Sequence, residues 1–195
     1  SFGGLGSSRE MMIAALAEPA MLMVTFTLAL LVHTTSLPQI ATFFLEQDVS
    51  IRVSCLLAMI SLAIVAVAEN ARIPVDNPAT HLELTMVHEA MILEYSGRHL
   101  ALFEYAAMLK LVMYISLISC LFVPWGMTAN VHDTHGVVIG LLAYLGKLAV
   151  AGGLLAVYET SIAKMRIFRV PEFLGVALLL GFLAVIFLYI SQVNV

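Results

Sequence analysis

Five long apolar runs limit what this chain can fold into more than any other feature of its sequence. Most are close to the roughly 20 residues that an α-helix needs to cross a bilayer, and none alternates with the period of two that marks a barrel strand. The chain is 62% hydrophobic and 11% charged. It therefore predicts an all-α, polytopic transmembrane protein, a single membrane domain over residues 1–195 with about five spans, near residues 11–33, 53–68, 100–122, 136–158 and 173–191.

Two shorter segments flank the first span. Glycine and serine in residues 3–8 predict a loop that leads into a capped helix start. Residues 37–47 predict an interfacial turn or a short helix before the second span. No internal repeat or low-complexity linker divides the chain, so both segments belong to one helical domain.

Charge is concentrated in residues 68–105, from the end of the second predicted span to the first turns of the third. Six of the thirteen acidic residues lie there, in a chain that is otherwise apolar. This stretch also mixes prolines, histidines and aromatic residues with the carboxylates, which is more than a solvated connector requires. We interpret residues 69–99 as a coupling loop that passes a signal between a partner and the membrane; the alternative is an ordinary polar connector.

Local patterns indicate how this loop is built. Pro74 and Pro78 interrupt helix formation, because proline lacks an amide hydrogen and restricts the residue before it. Thr80 and Glu83 then match a capping box, which predicts an amphipathic helix. Glu83 and Glu94 lie eleven residues apart, so this helix would carry both carboxylates on nearly the same face.

The distribution of lysine and arginine predicts the orientation of the chain. One side of the predicted membrane collects six basic residues in its loops, and the other side has only Arg52. By the positive-inside rule the first side is cytoplasmic, so the coupling loop faces the cytoplasm. The six residues are Arg9, Arg72, Arg98, Lys164, Arg166 and Arg169.

Four acidic or basic side chains, counting Asp, Glu, Lys and Arg, fall within the predicted spans, where a charge is costly unless it is paired or hydrated. They are Glu18, Glu104, Lys110 and Lys147. Desolvation brings the proton affinities of carboxylates and amines closer together, which suits such groups to pass protons. The set predicts a proton path through the membrane. The alternative is structural: an ion pair for each lysine, and for Glu18 a role beside the helix kink at Pro19.

The charged stretch also carries a family resemblance. Its sequence, AENARIPVDNPATHLELTMVHEAMILEYSG followed by LFEYAAMLK, resembles the membrane anchor subunit shared by energy-converting hydrogenases, formate hydrogenlyase and respiratory complex I. The complex I members of this family have a related pattern, AExxRxPFDLPExExELVxGxxxEYSG. Here Val75 and Asn77 replace the Phe and Leu beside the acid, while His81 and Lys110 are more similar to the hydrogenase branch, the formate hydrogenlyase subunit 4 group. FVPWG and YETSIAKMRIFRVPEFLG resemble that group as well.

In that family the subunit links a cytoplasmic redox module to antiporter-like membrane subunits. The resemblance implies that the coupling loop docks this module, and that Glu18, Glu104 and Lys110 belong to a hydrophilic axis in the membrane. The residues implied in coupling and docking are Glu69, Arg72, Asp76, Glu83, Glu89, Glu94 and Tyr95.

The resemblance also implies what this chain lacks. Family members have additional helices before the region that matches GSSREMM, so we expect those N-terminal helices to be missing here. We expect the nickel–iron centre and the iron–sulfur clusters on partner subunits, because the isolated Cys55 and Cys120 cannot supply a four-cysteine set. The expected partners are the large and small subunits of a nickel–iron hydrogenase, antiporter-like membrane subunits and the lipid bilayer of the cell's inner (plasma) membrane.

These features favour one function and leave two alternatives. The favoured function is that of a non-catalytic membrane subunit of a hydrogenase-type respiratory complex, which docks the redox module and couples its electron transfer to proton or sodium translocation. The alternatives are the quinone-binding membrane component of an NADH:quinone oxidoreductase-like complex and a passive membrane anchor. A net charge of −4 without a basic run argues against nucleic acid. No phosphate loop, dinucleotide fingerprint, zinc-protease motif or nucleophile elbow is present.

Overall fold

The described part of the chain is helical. The computed structural model describes residues 2–46, 53–75, 88–92, 95–126, 134–162 and 169–193, and these residues contain no strand. The all-α prediction is therefore confirmed. The helices are α1 (Phe2–Val32), α2 (Leu37–Glu46), α3 (Val53–Glu69), α4 (His88–Ile92), α5 (Arg98–Phe122), α6 (Thr134–Ser161) and α7 (Val170–Val193).

Four of these helices are long and apolar enough to cross a membrane: α1, α5, α6 and α7. α3 is equally apolar but shorter, at 17 residues. A helix suits this environment because it bonds its own backbone donors and acceptors where no water is available. The five helices correspond to the five predicted spans, so the prediction of a polytopic membrane protein is confirmed.

The start of α1 differs from the sequence-based expectation. The predicted loop over residues 3–8 is wrong, because α1 begins at Phe2 and runs through these residues as helix. Glycine in a helix costs about 1 kcal/mol relative to alanine, so the local preference is weak enough for packing to override. Gly6 is buried within the described structure, which is consistent with packing of this turn.

The core of the fold is a bundle of α1, α3 and α7, which pack against one another along their lengths. Small side chains fill the contacts between these helices. Ala17, Ala20, Ala58, Ala177 and Ala184 are all at most 1% exposed. Small residues allow helix backbones to approach closely, which is how membrane helices gain packing energy without a hydrophobic driving force.

One point of close approach lies at Gly181 of α7. A Cβ placed on Gly181 would lie 2.9 Å from the Cβ of Met23 in α1 and 3.5 Å from the Oγ of Ser61 in α3. The buried Ser61 hydroxyl donates a 2.7 Å hydrogen bond to the carbonyl oxygen of Ala177. The polar group of α3 is thus satisfied by the backbone of α7, which ties the two helices together at this level.

The remaining helices pack outside this three-helix bundle. α2 packs against α1 and α5 and buries Ile40 and Phe44, so residues 37–47 form a short helix rather than a turn. α5 packs against α3, and α6 packs against α5. None of the most apolar window of α6 is buried within the described residues. Its surfaces are therefore available to lipid or to other chains.

α1, α3 and α7 share a common level near the end of α3. Ile13, Ala68, Val75 and Val170 belong to one buried cluster, so the start of α7 lies beside the last turn of α3. Beyond α3 the chain turns back, and the amide of Val75 donates a 2.8 Å hydrogen bond to the carbonyl oxygen of Arg72. The coupling loop thus begins as an ordered turn whose Val75 returns into the bundle.

Nearly half of the coupling loop, residues 76–87, 93 and 94, falls outside the described part. α4 is the described piece of the predicted amphipathic helix, and it packs against α1. Thr80 and Glu83, the predicted capping box, lie outside the described residues. The capping box therefore stays a prediction from sequence.

We predict that Gly181→Ala lowers the thermal unfolding midpoint of the purified protein in detergent. The added methyl meets the Cβ of Met23, which cannot rotate away, and overpacking of this kind costs about 1–3 kcal/mol. Gly146→Ala is the matched control, because a Cβ at that position in α6 meets nothing within 4 Å. The control is expected to leave the midpoint unchanged or to raise it, since alanine favours the helix. A Gly181→Ala midpoint at or above the control's would contradict the close contact.

Candidate functional site

An ion pair joins α3 to α5 at the end of the bundle. The Nζ of Lys110 lies 2.7 Å from the Oε2 of Glu69, and the two side chains are 36% and 14% exposed. Glu69 is the last residue of α3, where the negative end of the helix dipole disfavours a carboxylate. The Lys110 ammonium offsets both the Glu69 carboxylate and the negative end of the helix dipole. The pair thus stabilises the C-terminus of α3.

The position of Lys110 relates the two helices to each other. Leu121 packs in the same cluster as Cys55, and Lys110 meets Glu69, so α5 runs antiparallel to α3. Residues 98–109 precede Lys110, and at 1.5 Å per residue they extend about 18 Å from it, past the end of α3. The middle of α5 therefore lies level with the end of the bundle, close to where α7 begins.

A second ion pair lies three residues further along the chain. The Nη1 of Arg72 lies 3.5 Å from the Oε1 of Glu159 near the end of α6, with the two side chains 35% and 25% exposed. This is a long contact for a salt bridge, and it leaves most of the five guanidinium hydrogens of Arg72 available. It fixes the turn after α3 against α6.

A third ionic contact ties α1 to α4. The Nδ1 of His88 lies 3.7 Å from the Oε2 of Glu10, close enough for an ionic interaction when the imidazole is protonated. The Glu10 carboxylate also interacts electrostatically with Lys110. Lys110 is thus paired with Glu69 of α3 and lies within electrostatic range of a second carboxylate, Glu10 of α1.

Together these contacts form an ionic cluster at one end of the bundle, which we define as Glu10, Glu69, Arg72, His88, Lys110 and Glu159. Each side chain comes from a different element or turn. The hydroxyl of Tyr114 is near the cluster, one turn along α5 from Lys110, and it interacts electrostatically with Glu69. The cluster can share charge among acids and bases, and can therefore move a proton between neighbouring groups.

The structure brings together some of the predicted site residues and separates others. Glu69, Arg72 and Lys110 lie in the ionic cluster. Glu18 in α1 and Glu104 in α5 are exposed, and the described residues offer neither of them an ion pair.

Lys147 lies away from the cluster. Its Nζ donates a 2.5 Å hydrogen bond to the carbonyl oxygen of Val123, the residue that caps the C-terminus of α5. Val123 is thirteen residues from Lys110, or about 20 Å along a helix. A cation is favourable at a helix C-terminus, so this contact gives Lys147 a structural partner, a backbone carbonyl oxygen rather than the carboxylate of an ion pair. Its role in a proton path stays a prediction.

The contact of Lys147 borders a largely apolar cavity between α5 and α6, whose lining includes the hydroxyls of Ser116 and Tyr144. This cavity has a volume of about 480 Å³. The Ser116 hydroxyl donates to the carbonyl oxygen of Val112 at 2.7 Å, so Tyr144 acts as the donor in the 2.7 Å contact between the Ser116 and Tyr144 hydroxyls. Ser116 lies on α5 between Lys110 and Val123, the residue that Lys147 contacts.

The coupling loop residues divide by where they lie. Asp76, Glu83 and Glu94 fall outside the described residues, and Glu89 lies in α4 with its side chain outside the described part. Tyr95 is described and exposed, and its ring lies 4.6 Å from that of Phe103 at the start of α5. The docking roles of these residues stay predictions.

Sequence reasoning missed half of the ionic cluster. Glu10, His88 and Glu159 were not predicted as site residues, although each is a rare charged or ionisable group in an apolar chain. Glu159 lies in the YETS motif near the end of a predicted span, which is the one pattern that singles it out. Among the residues that the structure describes, no group of three or more His, Cys, Asp or Glu side chains forms a metal site.

Comparisons with known proteins agree with the resemblance seen in the sequence. The family model described as NADH dehydrogenase matches residues 1–190. The chain is 26% identical over 183 residues to formate hydrogenlyase subunit 4 of Escherichia coli (strain K12), and 28% identical over 186 residues to hydrogenase-4 component C of the same organism. These alignments cover 94% and 95% of this chain and 58% of each relative. The predicted family is confirmed, and the chain belongs to the NADH dehydrogenase family.

Proposed function

We propose that this chain is a membrane subunit of a hydrogenase-type respiratory complex, which docks a redox module and couples its electron transfer to proton or sodium translocation. Its relatives are named as a subunit of formate hydrogenlyase and a component of hydrogenase-4, which supports membership of such a complex. The chain spans 58% of the length of these relatives. In this proposal the nickel–iron centre and iron–sulfur clusters belong to the hydrogenase subunits, and antiporter-like subunits lie beside the chain in the plasma membrane.

The observation that carries the coupling is the ion pair of Lys110 with Glu69, which lies within electrostatic range of a second carboxylate, Glu10. Glu10 in turn is in contact with His88 of α4. These two contacts, and the electrostatic interaction between Glu10 and Lys110, link the coupling loop to the end of a membrane helix. A passive anchor has no need for such a link, so the contacts favour coupling over anchoring.

The physical mechanism is a shift in how Lys110 shares its charge. Lys110 is paired with Glu69, and the attraction that Glu10 exerts on it depends on how much of the Glu10 charge His88 neutralises. Two unit charges 4 Å apart interact by about 4 kcal/mol at an effective dielectric constant of 20. A change of charge near His88 is therefore large enough to move Lys110 from one carboxylate towards the other and to release or take up a proton.

The coupling loop supplies the contact with the redox module. It begins at the ordered turn of Arg72 and Val75, continues through Asp76, Glu83 and Glu94, and includes His88, which contacts α1. Movement or charging of the docked module would therefore act on both ends of these linked charged groups. With the loop on the cytoplasmic side, Glu69 and Lys110 form the cytoplasmic entrance of the ion path.

A quinone-reducing complex is the second candidate, because the family that matches this chain is described as NADH dehydrogenase. In such a complex the same charged groups would respond to quinone reduction. The two candidates differ in what the intact complex contains. Nickel in the purified complex supports the hydrogenase-type function, and stoichiometric bound quinone supports the second candidate.

We predict that Lys110→Met uncouples the complex. Ion translocation in inverted membrane vesicles should fall by about tenfold, the effect of raising a barrier by about 1.4 kcal/mol. Hydrogen evolution should continue, because the redox centres lie on other subunits. Both rates are measured on the same vesicles.

Two further variants make this test specific. Arg98→Met, at the exposed start of α5, removes a positive charge from the same helix outside the ionic cluster and should leave translocation unchanged. The exchanged pair Glu69→Lys with Lys110→Glu keeps the contact and should recover part of the translocation lost in Lys110→Met. Unchanged translocation in Lys110→Met would remove the basis for the coupling mechanism.

A separate prediction tests docking. Glu83→Lys combined with Glu94→Lys reverses two charges on the coupling loop and should lower the amount of nickel that co-purifies with the membrane subunit, measured by metal analysis. Glu46→Lys is the control, because α2 packs at the opposite end of the bundle. Equal nickel content in the loop variant and the control would show that the loop carboxylates do not hold the module.

A further inference from the structure

An apolar groove lies between α3 and α6, with α5 as its floor. Its volume is about 520 Å³, within the range of about 300–1,000 Å³ typical of ligand sites. Aliphatic side chains line almost all of it, including Ile60, Ile64, Leu111, Ile115 and Leu154. Along α5 the lining runs from Leu111 to Ile118, or about 11 Å. The groove is long enough for the upper part of an acyl chain.

The groove is apolar at one end and polar at the other. Met59, Ile118 and Ala151 line the far end, while Arg72 and Tyr158 lie at the end nearest the ionic cluster. The polar end is therefore formed where the turn after α3 meets the last turns of α6. A ligand that fits this gradient has a long apolar part and a polar head.

The polar end of the groove lies level with the start of the apolar helix α7. Arg72 lies between Ala68 and Val75, both of which pack in one cluster with Val170, the first residue of α7. The apolar span of α7 begins at this level. Arginine and tyrosine are favoured where a span meets the headgroup layer, because each combines an apolar body with a polar tip.

The charges at the mouth of the groove select the kind of headgroup. Arg72 and Glu159 form a mixed pair, positive and negative, with 3.5 Å between their nearest atoms. Both side chains remain partly exposed, so each retains hydrogen-bonding capacity. An anion alone would meet the Glu159 carboxylate, and a cation alone would meet the Arg72 guanidinium. A headgroup that carries a phosphate beside a primary ammonium complements both.

We infer that this groove binds one zwitterionic phospholipid of the phosphatidylethanolamine class. The phosphate binds the Arg72 guanidinium, the ammonium donates hydrogen bonds to the Glu159 carboxylate, and one acyl chain lies along α5 between α3 and α6. Bound there, the lipid fills the space between α6 and the bundle, so it joins α6 to the start of the coupling loop. This inference is independent of the reaction that the complex carries out.

The test is native mass spectrometry of the complex, purified in mild detergent with its partner subunits and then supplied with defined lipids. The wild-type complex should retain a single phosphatidylethanolamine in preference to phosphatidylglycerol and phosphatidylcholine. Arg72→Gln should lower this retention by about tenfold, the effect of losing one charge-assisted hydrogen bond. Glu159→Gln should keep a phospholipid but shift the preference towards phosphatidylglycerol, because the carboxylate that repels an anionic headgroup is gone.

A matched pair of substitutions tests the apolar part. Ala151 lines the groove and Ala156 lies exposed on another face of α6. Ala151→Phe should displace the lipid and Ala156→Phe should not, so the inference remains testable if the Arg72 variant fails to assemble. Retention of phosphatidylglycerol equal to phosphatidylethanolamine, a quinone in place of the phospholipid, or retention unaffected by Ala151→Phe would each overturn it.

Discussion

The close packing of α1, α3 and α7 is the constraint on which the rest of this structure depends. Buried alanines and Gly181 allow the three backbones to approach, and the Ser61 hydrogen bond to the backbone of α7 fixes one helix against another. Because α3 is short, this packing places its C-terminus beside the start of α7 rather than beside the start of α5. The end of α3 is where the negative helix dipole, the Glu69 carboxylate and the following turn all meet. A cation is needed there, and Lys110 reaches it from the middle of α5.

Because the helices differ in length and level, a charged residue in the middle of one helix can lie level with the end of its neighbour. Lys110 and Lys147 occupy similar positions in α5 and α6, yet one meets the end of α3 and the other the end of α5. In each case the lysine binds where a neighbouring helix ends and leaves carbonyl oxygens or a carboxylate without a partner. What distinguishes Lys110 is that its partner is a carboxylate, Glu69, and that a second carboxylate, Glu10, lies within electrostatic range and contacts His88 of the coupling loop. Lys147 has a backbone carbonyl as its acceptor, which cannot change its charge.

The hydropathy of the chain was sufficient to predict the helical class and the five apolar helices, because the bilayer demands continuous apolar segments of nearly fixed length. The start of α1 was not predictable in this way, since the glycines of residues 3–8 weaken a helix only slightly and the burial of Gly6 depends on distant contacts. The density of charge around Glu69 indicated where a site would form, but not its partners. Arg72 and Glu159 are 87 residues apart, and their contact depends on how α6 packs beside α5. The level of each residue in the bundle was not predictable for a related reason: sequence gives a position along one helix, whereas the level depends on how helices of unequal length are offset.

The coupling loop is held by three different helices, and this arrangement bears on how a signal would travel. Its first turn is bound to α6 through Arg72 and Glu159 and enters the bundle at Val75, while its later part contacts α1 through His88 and Glu10. Glu69, immediately before the turn, is bound to α5. A displacement of the loop by a docked partner would therefore change the surroundings of Glu10 and Glu69 together, and both carboxylates act electrostatically on Lys110. Because the partner of the ammonium and a second nearby carboxylate respond to the same displacement, a small movement of the loop can alter the electrostatic field at Lys110 without any movement of the three-helix core.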